Sequence, residues 1–290
     1  MTVSLVFGAS GAVGRFLLPR LLAAGHDVVA VSREARTSGH PRVRWLVGDL
    51  PGNVPPLPDV DAIYSLGPLD AFAEWFAETR VNGVPRIVAI GSLSAITKEQ
   101  SVDPLERELA ARLRRAESVL AAAADVRGSR STLLRASLIY GAGLDRSLTP
   151  IVRFAQRWRV FPTLLGAGGL RQPVHADDLA GACMAAAARA GVARSYDLGG
   201  GERLAFGEML ARVRASLAVA TLPLPVPRLL ARALSAAARQ TRAFSAASAA
   251  ALQRIDENLV VDHAAAIADF GWSPRAFRPR SEDWTSPPLP

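Results

Sequence analysis

Three glycines at residues 8, 11 and 14 constrain the fold of this chain more than any other feature. They follow a short apolar run, residues 3–7, and they open residues 12–24, whose apolar positions recur at helical spacing. In a strand, glycine-rich turn and helix, the first glycine permits a tight turn, the second lets backbone amides approach a pyrophosphate, and the third allows close helix–strand packing. The helix N-terminus adds free N–H groups and a partial positive charge. The pattern therefore predicts a dinucleotide site, with an ordinary strand-to-helix turn as the alternative.

Short β-branched runs alternate with helical patterns through the first half of the chain, which is typical of a parallel sheet covered by helices on both faces. The predicted strands are residues 3–7, 28–33, 43–47, 62–66, 86–90 and 132–135, and the predicted helices are residues 12–24, 72–81 and 104–124, the last capped by Asp103 with Pro104 in its first position. We expect the strand order 3-2-1-4-5-6 of a doubly wound (Rossmann) α/β fold.

Beyond residue 143 the pattern becomes mainly helical. We expect helices at 148–158 and 179–189, a glycine-rich loop at 164–170, a late strand at 195–198 and a loose proline-rich tail from residue 286. Residues 206–255 are almost wholly helical in pattern, broken by the prolines at 223, 225 and 227. The chain is predicted to comprise a dinucleotide-binding domain, residues 1–143 plus 171–199, and a smaller, mostly helical C-terminal lobe for substrate or a partner, residues 144–170 plus 200–290.

Composition excludes several classes of protein. The single cysteine, Cys183, rules out an intrachain disulfide and a cysteine-based metal site, and no metal is predicted. The net charge of +8 comes almost entirely from scattered arginines, Lys98 being the only lysine, and no recognition motif accompanies it, so nucleic acid is not expected as a partner. No apolar stretch approaches the roughly 20 residues that span a bilayer, and no signal peptide follows Met1. A cytoplasmic protein is expected, and the oligomeric state is left open.

The spacing Gly8-x-x-Gly11-x-x-Gly14 resembles that of the short-chain dehydrogenase/reductase superfamily in its extended or atypical form, the NAD-dependent epimerase/dehydratase type. Later segments extend the resemblance over most of the chain: Val47-Gly48-Asp49-Leu50, Ser65-Leu66-Gly67, Leu134-Arg135-Ala136 through Ile139-Tyr140-Gly141, Arg171 through Leu179, and Phe270-Gly271-Trp272-Ser273-Pro274. The resemblance implies a Rossmann fold, a nicotinamide dinucleotide and a small-molecule substrate such as a nucleotide sugar or a carbonyl compound.

The resemblance also implies which residues contact the cofactor. Asp49 would accept from the adenine amino group, beside Leu50, and the loop after strand four would lie against the cofactor. The implied contacts are Gly8, Ser10, Gly11, Ala12, Val13, Gly14, Asp49, Leu50, Leu66 and Gly67.

The end of the second strand bears on the choice of nicotinamide cofactor. NAD-selective sites usually place a carboxylate there to hold the ribose hydroxyls. Here the strand ends in Ser32 and Arg33, followed by Glu34 and Arg36. A guanidinium can pair with a 2′-phosphate through two parallel hydrogen bonds, so the sequence favours NADP(H) over NAD(H), with contacts from Ser32 and Arg33. The alternative is that Arg33 is solvated and Glu34 binds the ribose.

The catalytic pattern of the superfamily is absent from this chain. That chemistry usually rests on Ser/Thr followed by Tyr-x-x-x-Lys on one helix, where the tyrosine transfers a proton and the lysine lowers the tyrosine pKa. Counting back from Ala116-Glu117, which resembles the Ala-Glu after the family's lysine, puts Leu109 and Leu113 at the tyrosine and lysine positions. Neither leucine can transfer a proton.

Two interpretations stay open. In the first, substitute groups at the carboxyl edge of the sheet support hydride transfer: Ser92 and Ser94 after strand five, Lys98 four residues later, and Tyr140 after strand six. The alternative for these residues is that both serines are turn residues and Lys98 is solvated. In the second interpretation, the protein binds NADP(H) without turning it over, as a regulator or as an accessory or assembly protein.

Arg171 and His175 lie where extended members of the superfamily contact substrate, often a nucleotide-sugar diphosphate. Arginine suits a diphosphate and histidine can carry a proton, although a structural hydrogen-bonding role is commoner for such a histidine. Asp177 and Asp178 precede a predicted helix and are expected to cap it. The chain is thus interpreted as an NADP(H)-dependent oxidoreductase or sugar-nucleotide epimerase/dehydratase-like enzyme with a non-standard proton relay, or alternatively as a catalytically silent NADP(H)-binding protein.

Overall fold

The computed structural model of the chain describes residues 2–79, 81–164, 168–189, 194–227 and 254–290. Its strands are β1 (Val3–Phe7), β2 (Asp27–Ser32), β3 (Val43–Val47), β4 (Ala62–Ser65), β5 (Arg86–Ser92), β6 (Ser131–Ala136), β7 (Ile139–Tyr140), β8 (Val160–Leu164), β9 (Leu170–Arg171), β10 (Val174–His175), β11 (Arg194–Leu198), β12 (Leu204–Ala205) and β13 (Leu222–Val226). Its helices are α1 (Gly14–Ala23), α2 (Leu69–Glu78), α3 (Ser94–Thr97), α4 (Pro104–Val126), α5 (Thr149–Trp158), α6 (Ala176–Ala188), α7 (Phe206–Ala215) and α8 (Ala264–Phe270), with a 3-10 helix at Ser281–Trp284.

Seven strands form one parallel sheet in the order β11-β6-β5-β4-β1-β2-β3. The predicted order 3-2-1-4-5-6 is confirmed, and the predicted late strand joins the sheet as β11, parallel to β6 at the edge. Side chains alternate between the two faces: along β1, Leu5 and Phe7 enter the apolar cluster on one face and Val6 enters the cluster on the other. The chain therefore has the doubly wound Rossmann α/β fold that the sequence predicts.

Helices cover both faces of this sheet. On one face α1 packs against α6, burying Leu17 and Leu179, and on the other α2 packs against α4, burying Phe72. The N-terminus of α4 is as predicted, because Asp103 caps the helix and Pro104 takes its first position. The two helical layers leave the carboxyl ends of the strands as the edge where a ligand can approach.

A third apolar cluster, built from α5, β8, α7 and C-terminal residues, forms the core of the smaller lobe. The helical prediction for 206–255 is confirmed over α7, and the helix is broken at the prolines as predicted. The pairing of residues 222–226 with β8 as strand β13 was not predicted. Pro223 and Pro225 explain the difference, because proline has no N–H to continue a helix but tolerates an edge strand. Residues 228–253 lie outside the described residues.

The C-terminal part of the chain returns to the central sheet. Helix α8 packs beside β11 and α6, and Trp272 enters the same apolar cluster as α1. Hydrogen bonds from Arg15 and Ser38 to the carbonyls of Pro287 and Pro290 then hold the last residues, which corrects the expectation of a loose tail. The predicted division into two units stays a prediction.

Among the described residues, no helix combines the length and the apolar character needed to cross a bilayer. In the same part of the chain, His, Cys, Asp and Glu side chains nowhere group in threes that could hold a metal ion.

Candidate functional site

The glycine-rich turn lies between β1 and α1 and contains six of the predicted cofactor residues: Gly8, Ser10, Gly11, Ala12, Val13 and Gly14. Gly8 has a φ of +75°, and a Cβ there would lie 2.9 Å from the carbonyl carbon of Leu66. A Cβ on Gly14 would lie 2.3 Å from the backbone oxygen of Ala9. A Cβ on Gly11 would meet only the Gly8 oxygen, at 3.1 Å. The first and third glycines are therefore required by packing, whereas the second keeps the outer surface of the turn open.

Leu66 and Gly67, after β4, lie beside this turn. The Leu66 amide donates to the Phe7 carbonyl over 3.0 Å, and a Cβ on Gly67 would have no atom within 4 Å. Asp49 and Leu50 follow β3, where the backbone of Asp49 pairs with Asn53 and the Asp49 side chain is exposed. Both segments come at the carboxyl ends of their strands, so the structure brings these predicted residues to one edge of the sheet.

The loop after β2 is organised around Ser32 rather than Arg33. The Ser32 hydroxyl oxygen accepts from the Arg36 Nε over 3.1 Å and from the Glu34 amide over 3.2 Å. Arg33 is exposed, whereas the Arg36 guanidinium lies 5.7 Å from the centre of the Trp45 ring and pairs with Glu34. Arg36 is therefore the guanidinium that bonds to Ser32. The sequence signal for this contact is the spacing of four residues between Ser32 and Arg36, which a turn can bring together.

The predicted serines and lysine follow β5 as one short stretch. Ser92 is the last residue of β5, its hydroxyl oxygen accepts from the Ser94 amide over 3.2 Å, and Ser94 begins α3. Lys98 is not solvated, because its Nζ lies 2.8 Å from the Glu106 carboxylate and both side chains are largely buried. Although burial raises the pKa of Glu106, hydrogen bonds from Lys98 and Ser101 outweigh it and lower that pKa.

The two positions at which the resemblance would place the tyrosine and lysine of the dyad lie on α4. Leu109 and Leu113 are both half-buried there. Their side chains carry no donor or acceptor, so α4 supplies no proton carrier at either position.

Tyr140 lies on a cleft of about 370 Å³ at the junction of the sheet and the smaller lobe. It is opposite His175 where β7 pairs with β10, and its ring contacts those of His175 and Phe277 edge-on at centroid distances of 5.0 and 4.9 Å. Burial, with the nearby Asp283 carboxylate, raises the Tyr140 pKa, so the phenol stays protonated at neutral pH. The cleft is lined by Phe16, Tyr140, Gly141, His175, Asp177, Arg275, Arg278, Arg280, Glu282, Asp283, Thr285 and Pro287.

His175 uses both ring nitrogens inside the protein. Its Nδ1 accepts from the Asp177 amide over 3.1 Å, so its Nε2 carries the proton and donates to Asp283 over 3.1 Å. His175 thereby caps α6, and the prediction that Asp177 and Asp178 cap this helix is wrong; those carboxylates instead pair with the guanidinium of Arg275. Burial raises the pKa of Asp283, but hydrogen bonds from His175 and the Arg280 amide lower it more.

Arg171 is away from the cleft surface. It is only 3% exposed, its guanidinium donates to the carbonyls of Leu170, Arg254 and Glu257, and it lies 4.8 Å from the centre of the Phe206 ring. Burial and the nearby Arg254 lower its pKa to about 10. Its role toward substrate stays a prediction, and a direct contact would require these bonds to open.

Comparison with known proteins agrees with this arrangement. Residues 4–84, which include the glycine-rich turn, match the family described as "NAD dependent epimerase/dehydratase family". A curated relative, the mitochondrial NADH dehydrogenase (ubiquinone) 1 alpha subcomplex subunit 9 of Arabidopsis thaliana, is 29% identical over 229 residues, which are 68% of this chain and 54% of that subunit. The matched part thus spans about half the length of this relative.

Solved structures with the same fold cover nearly the whole chain. UDP-glucuronic acid 4-epimerase from Bacillus cereus, in complex with UDP-glucuronic acid and NAD, has a TM-score of 0.67 at 12% identity and covers 98% of this chain and 96% of that one. UDP-glucose 4-epimerase from Thermotoga maritima, with UDP-glucose, has a TM-score of 0.67 at 14% identity and covers 98% of this chain and 96% of that one. At these identities the similarity establishes the fold alone. Residues 4–84 therefore match the NAD-dependent epimerase/dehydratase family, and the chain as a whole shares the Rossmann α/β fold of these solved epimerases.

Proposed function

We propose that this protein binds a nicotinamide dinucleotide at the glycine-rich turn and acts on a small-molecule substrate in the adjoining cleft. The observation that carries the proposal is the geometry of the turn: Gly8 and Gly14 fit only without a Cβ, while Gly11 leaves the outer surface open. A pyrophosphate needs such a surface, since backbone N–H groups must reach its oxygens. The family match over residues 4–84 and the NAD held by the Bacillus cereus epimerase support the same assignment.

Within this function we propose NADP(H) rather than NAD(H) as the preferred cofactor, although NAD is what the solved relatives carry. Arg36 bonds to Ser32 at the end of β2, and Arg33 is exposed beside them, so two guanidiniums are close to the position of the ribose 2′ substituent. Glu34, the carboxylate that would bind the ribose of NAD, is 79% exposed and pairs with Arg36. A 2′-phosphate would be attracted by this loop more strongly than a 2′-hydroxyl.

The substrate class we propose is a nucleotide sugar or another carbonyl compound. Arg278 and Arg280 line the cleft and both are exposed. Arg280 pairs with the exposed Glu282 and Arg275 pairs with two carboxylates, so Arg278 is the cleft arginine that we propose for a diphosphate. The solved epimerases that share the fold hold UDP-glucuronic acid or UDP-glucose.

Tyr140 is the group we propose as proton donor. When bound, the nicotinamide supplies or accepts the hydride. In the reducing direction the Tyr140 phenol, protonated at neutral pH, would give its proton to the substrate oxygen as that oxygen gains negative charge. Ser92 and Ser94 would polarise the carbonyl, and Lys98 would contribute positive charge only after leaving Glu106.

A cytoplasmic location stays a prediction.

The test is to follow NADPH absorbance with a panel of carbonyl compounds and sugar nucleotides, for wild type and for Tyr140→Phe. Turnover that falls in Tyr140→Phe supports the proposal. Full activity in Tyr140→Phe removes Tyr140 from the relay, and full activity in Lys98→Ala does the same for Lys98.

A second candidate, a cofactor-binding accessory protein without catalysis, is favoured by two observations. Leu109 and Leu113 replace the dyad, and Lys98 is paired with Glu106. The relative from Arabidopsis thaliana is named as a subunit of NADH dehydrogenase. Tight NADPH binding without oxidation across the whole panel would select this candidate over the enzyme.

A further inference from the structure

The last five residues, 286–290, which we call the C-terminal segment, connect three parts of the molecule. The Arg15 Nη1, on the first turn of α1, donates to the Pro287 carbonyl. The Ser38 hydroxyl, in the loop between β2 and β3, lies 3.1 Å from the Pro290 oxygen and 3.2 Å from the His40 carbonyl, either of which can accept its proton. The Ser286 hydroxyl donates to the Ala142 carbonyl over 3.0 Å. The C-terminal segment therefore joins the amino end of α1 to the loop that contains Arg36.

Arg15 is held near a second positive charge. Its Nε donates to the carbonyl of Ser10, inside the glycine-rich turn, over 3.2 Å. Residues 287–290 run from this guanidinium to Ser38, two positions after Arg36, so only four residues connect Arg15 to the loop that contains Arg36. Burial lowers the Arg15 pKa, and the charge of Arg36 lowers it further. Two carbonyls, those of Ser10 and Pro287, accept from the Arg15 guanidinium and fix its position beside this loop.

We propose that the C-terminal segment is a positioning element for cofactor selection, which holds Arg15 and the Arg36 loop so that both guanidiniums can share one 2′-phosphate. A dianion between two guanidiniums replaces their repulsion with two charge-assisted interactions. Ser32, already bonded to Arg36, would complete the set of donors. The inference rests on the proposed preference for NADP(H), and it adds that residues far from β2 in sequence maintain that preference.

Two nucleotides that differ by the 2′-phosphate alone, 2′,5′-ADP and 5′-ADP, provide the test by calorimetry. The variants are a deletion of residues 286–290 and the single substitution Ser38→Ala, which removes the donor to Pro290 in the full-length chain. Ser281→Ala, an exposed serine of the 3-10 helix, is the matched control. Thermal melting of each variant shows whether it is folded.

Wild type and Ser281→Ala are expected to bind 2′,5′-ADP more tightly than 5′-ADP, and both other variants should lower this ratio by about tenfold, the value of one lost charge-assisted hydrogen bond. An unchanged ratio in folded Ser38→Ala and in the deletion, or an equal loss for both nucleotides, would overturn the positioning role and leave the proposed function intact. A wild type that prefers 5′-ADP would overturn the NADP(H) preference together with this inference.

Discussion

Replacing Gly11 by alanine should separate cofactor binding from folding. The new Cβ would lie 3.1 Å from the Gly8 oxygen, so the turn needs to shift by only a few tenths of an ångström. That small strain is offset by the lower entropy of the unfolded chain, and we expect the free energy of unfolding to change by less than about 1 kcal/mol. The methyl group nevertheless stands where backbone amides must approach a pyrophosphate, so the Kd for NADP⁺ should rise at least about tenfold, or ~1.4 kcal/mol.

Gly14→Ala and Gly181→Ala provide the comparison. At Gly14 the Cβ would lie 2.3 Å from the Ala9 oxygen, so the backbone must move and unfolding should become easier by about 1–3 kcal/mol. Gly181, within α6, has no atom within 4 Å of the added Cβ, and alanine there should stabilise by roughly 0.5–1 kcal/mol without affecting binding. Urea unfolding and calorimetric titration measure both quantities. Wild-type affinity in Gly11→Ala would refute the assignment of the turn as the pyrophosphate site.

Three further predictions concern buried polar groups. Lys98→Met should lower the free energy of unfolding by about 1–3 kcal/mol at pH 7, because it leaves the Glu106 carboxylate buried without its partner. The ion pair lowers the Glu106 pKa, so the stabilisation it gives is present above the pKa of Glu106 in the unfolded chain and is lost as pH falls through the pKa in the folded chain. Urea unfolding at several pH values should therefore show that the loss of stability in Lys98→Met becomes smaller in acid. A loss of stability that does not change with pH would contradict this role of the ion pair. Tyr140→Phe should reduce kcat about 100-fold, with a change in Tm below about 4 °C. Because burial raises the Tyr140 pKa, the rate of substrate reduction by the wild-type protein should not decline near pH 10, where a free phenol ionises. Asp283→Asn should lower the free energy of unfolding by about 1–2 kcal/mol, because the hydrogen bond from His175 is weakened. Because the Asp283 pKa is lowered in the folded protein, the difference in stability between the variant and wild type should disappear as pH falls through that pKa. A difference that grows in acid would be inconsistent with the His175 tautomer assigned above.

Local patterns predicted the central sheet well because each signal there is short in sequence. The alternation along β1, the glycines that follow it and the cap of α4 by Asp103 all act within a few residues of where they are read. The parallel order then follows, because a strand–helix–strand unit leaves few ways to pack.

The parts that were missed depend on contacts between distant residues. The acceptor for His175 is Asp283, 108 positions away, and no spacing rule connects them. The same histidine takes over the capping of α6, which frees Asp177 for ion pairs. At residues 222–226 the prolines correctly predict a break in the helical pattern, but the edge strand that alternate prolines also suit depends on pairing with the distant β8.

Long-range contacts also explain why the sequence identified two residues, Lys98 and Arg36, without identifying the groups they bind. Lys98 was expected to be solvated or catalytic, yet the start of α4 brings Glu106 within 2.8 Å of it. Arg36 replaces Arg33 beside Ser32 because the loop turns back after β2. In both cases the residue type was correctly singled out, and its partner could be known only from the folded chain.

Calorimetric titration of the wild-type protein with NADP⁺ and with NAD⁺ tests the central assignment most directly. We predict one saturable site per chain for each dinucleotide, with the lower Kd for NADP⁺, and a rise of at least about tenfold in both Kd values in the Gly11→Ala variant. Absence of binding heat with either dinucleotide, confirmed by unchanged thermal melting at millimolar concentrations, would contradict the assignment of the glycine-rich turn as a cofactor site.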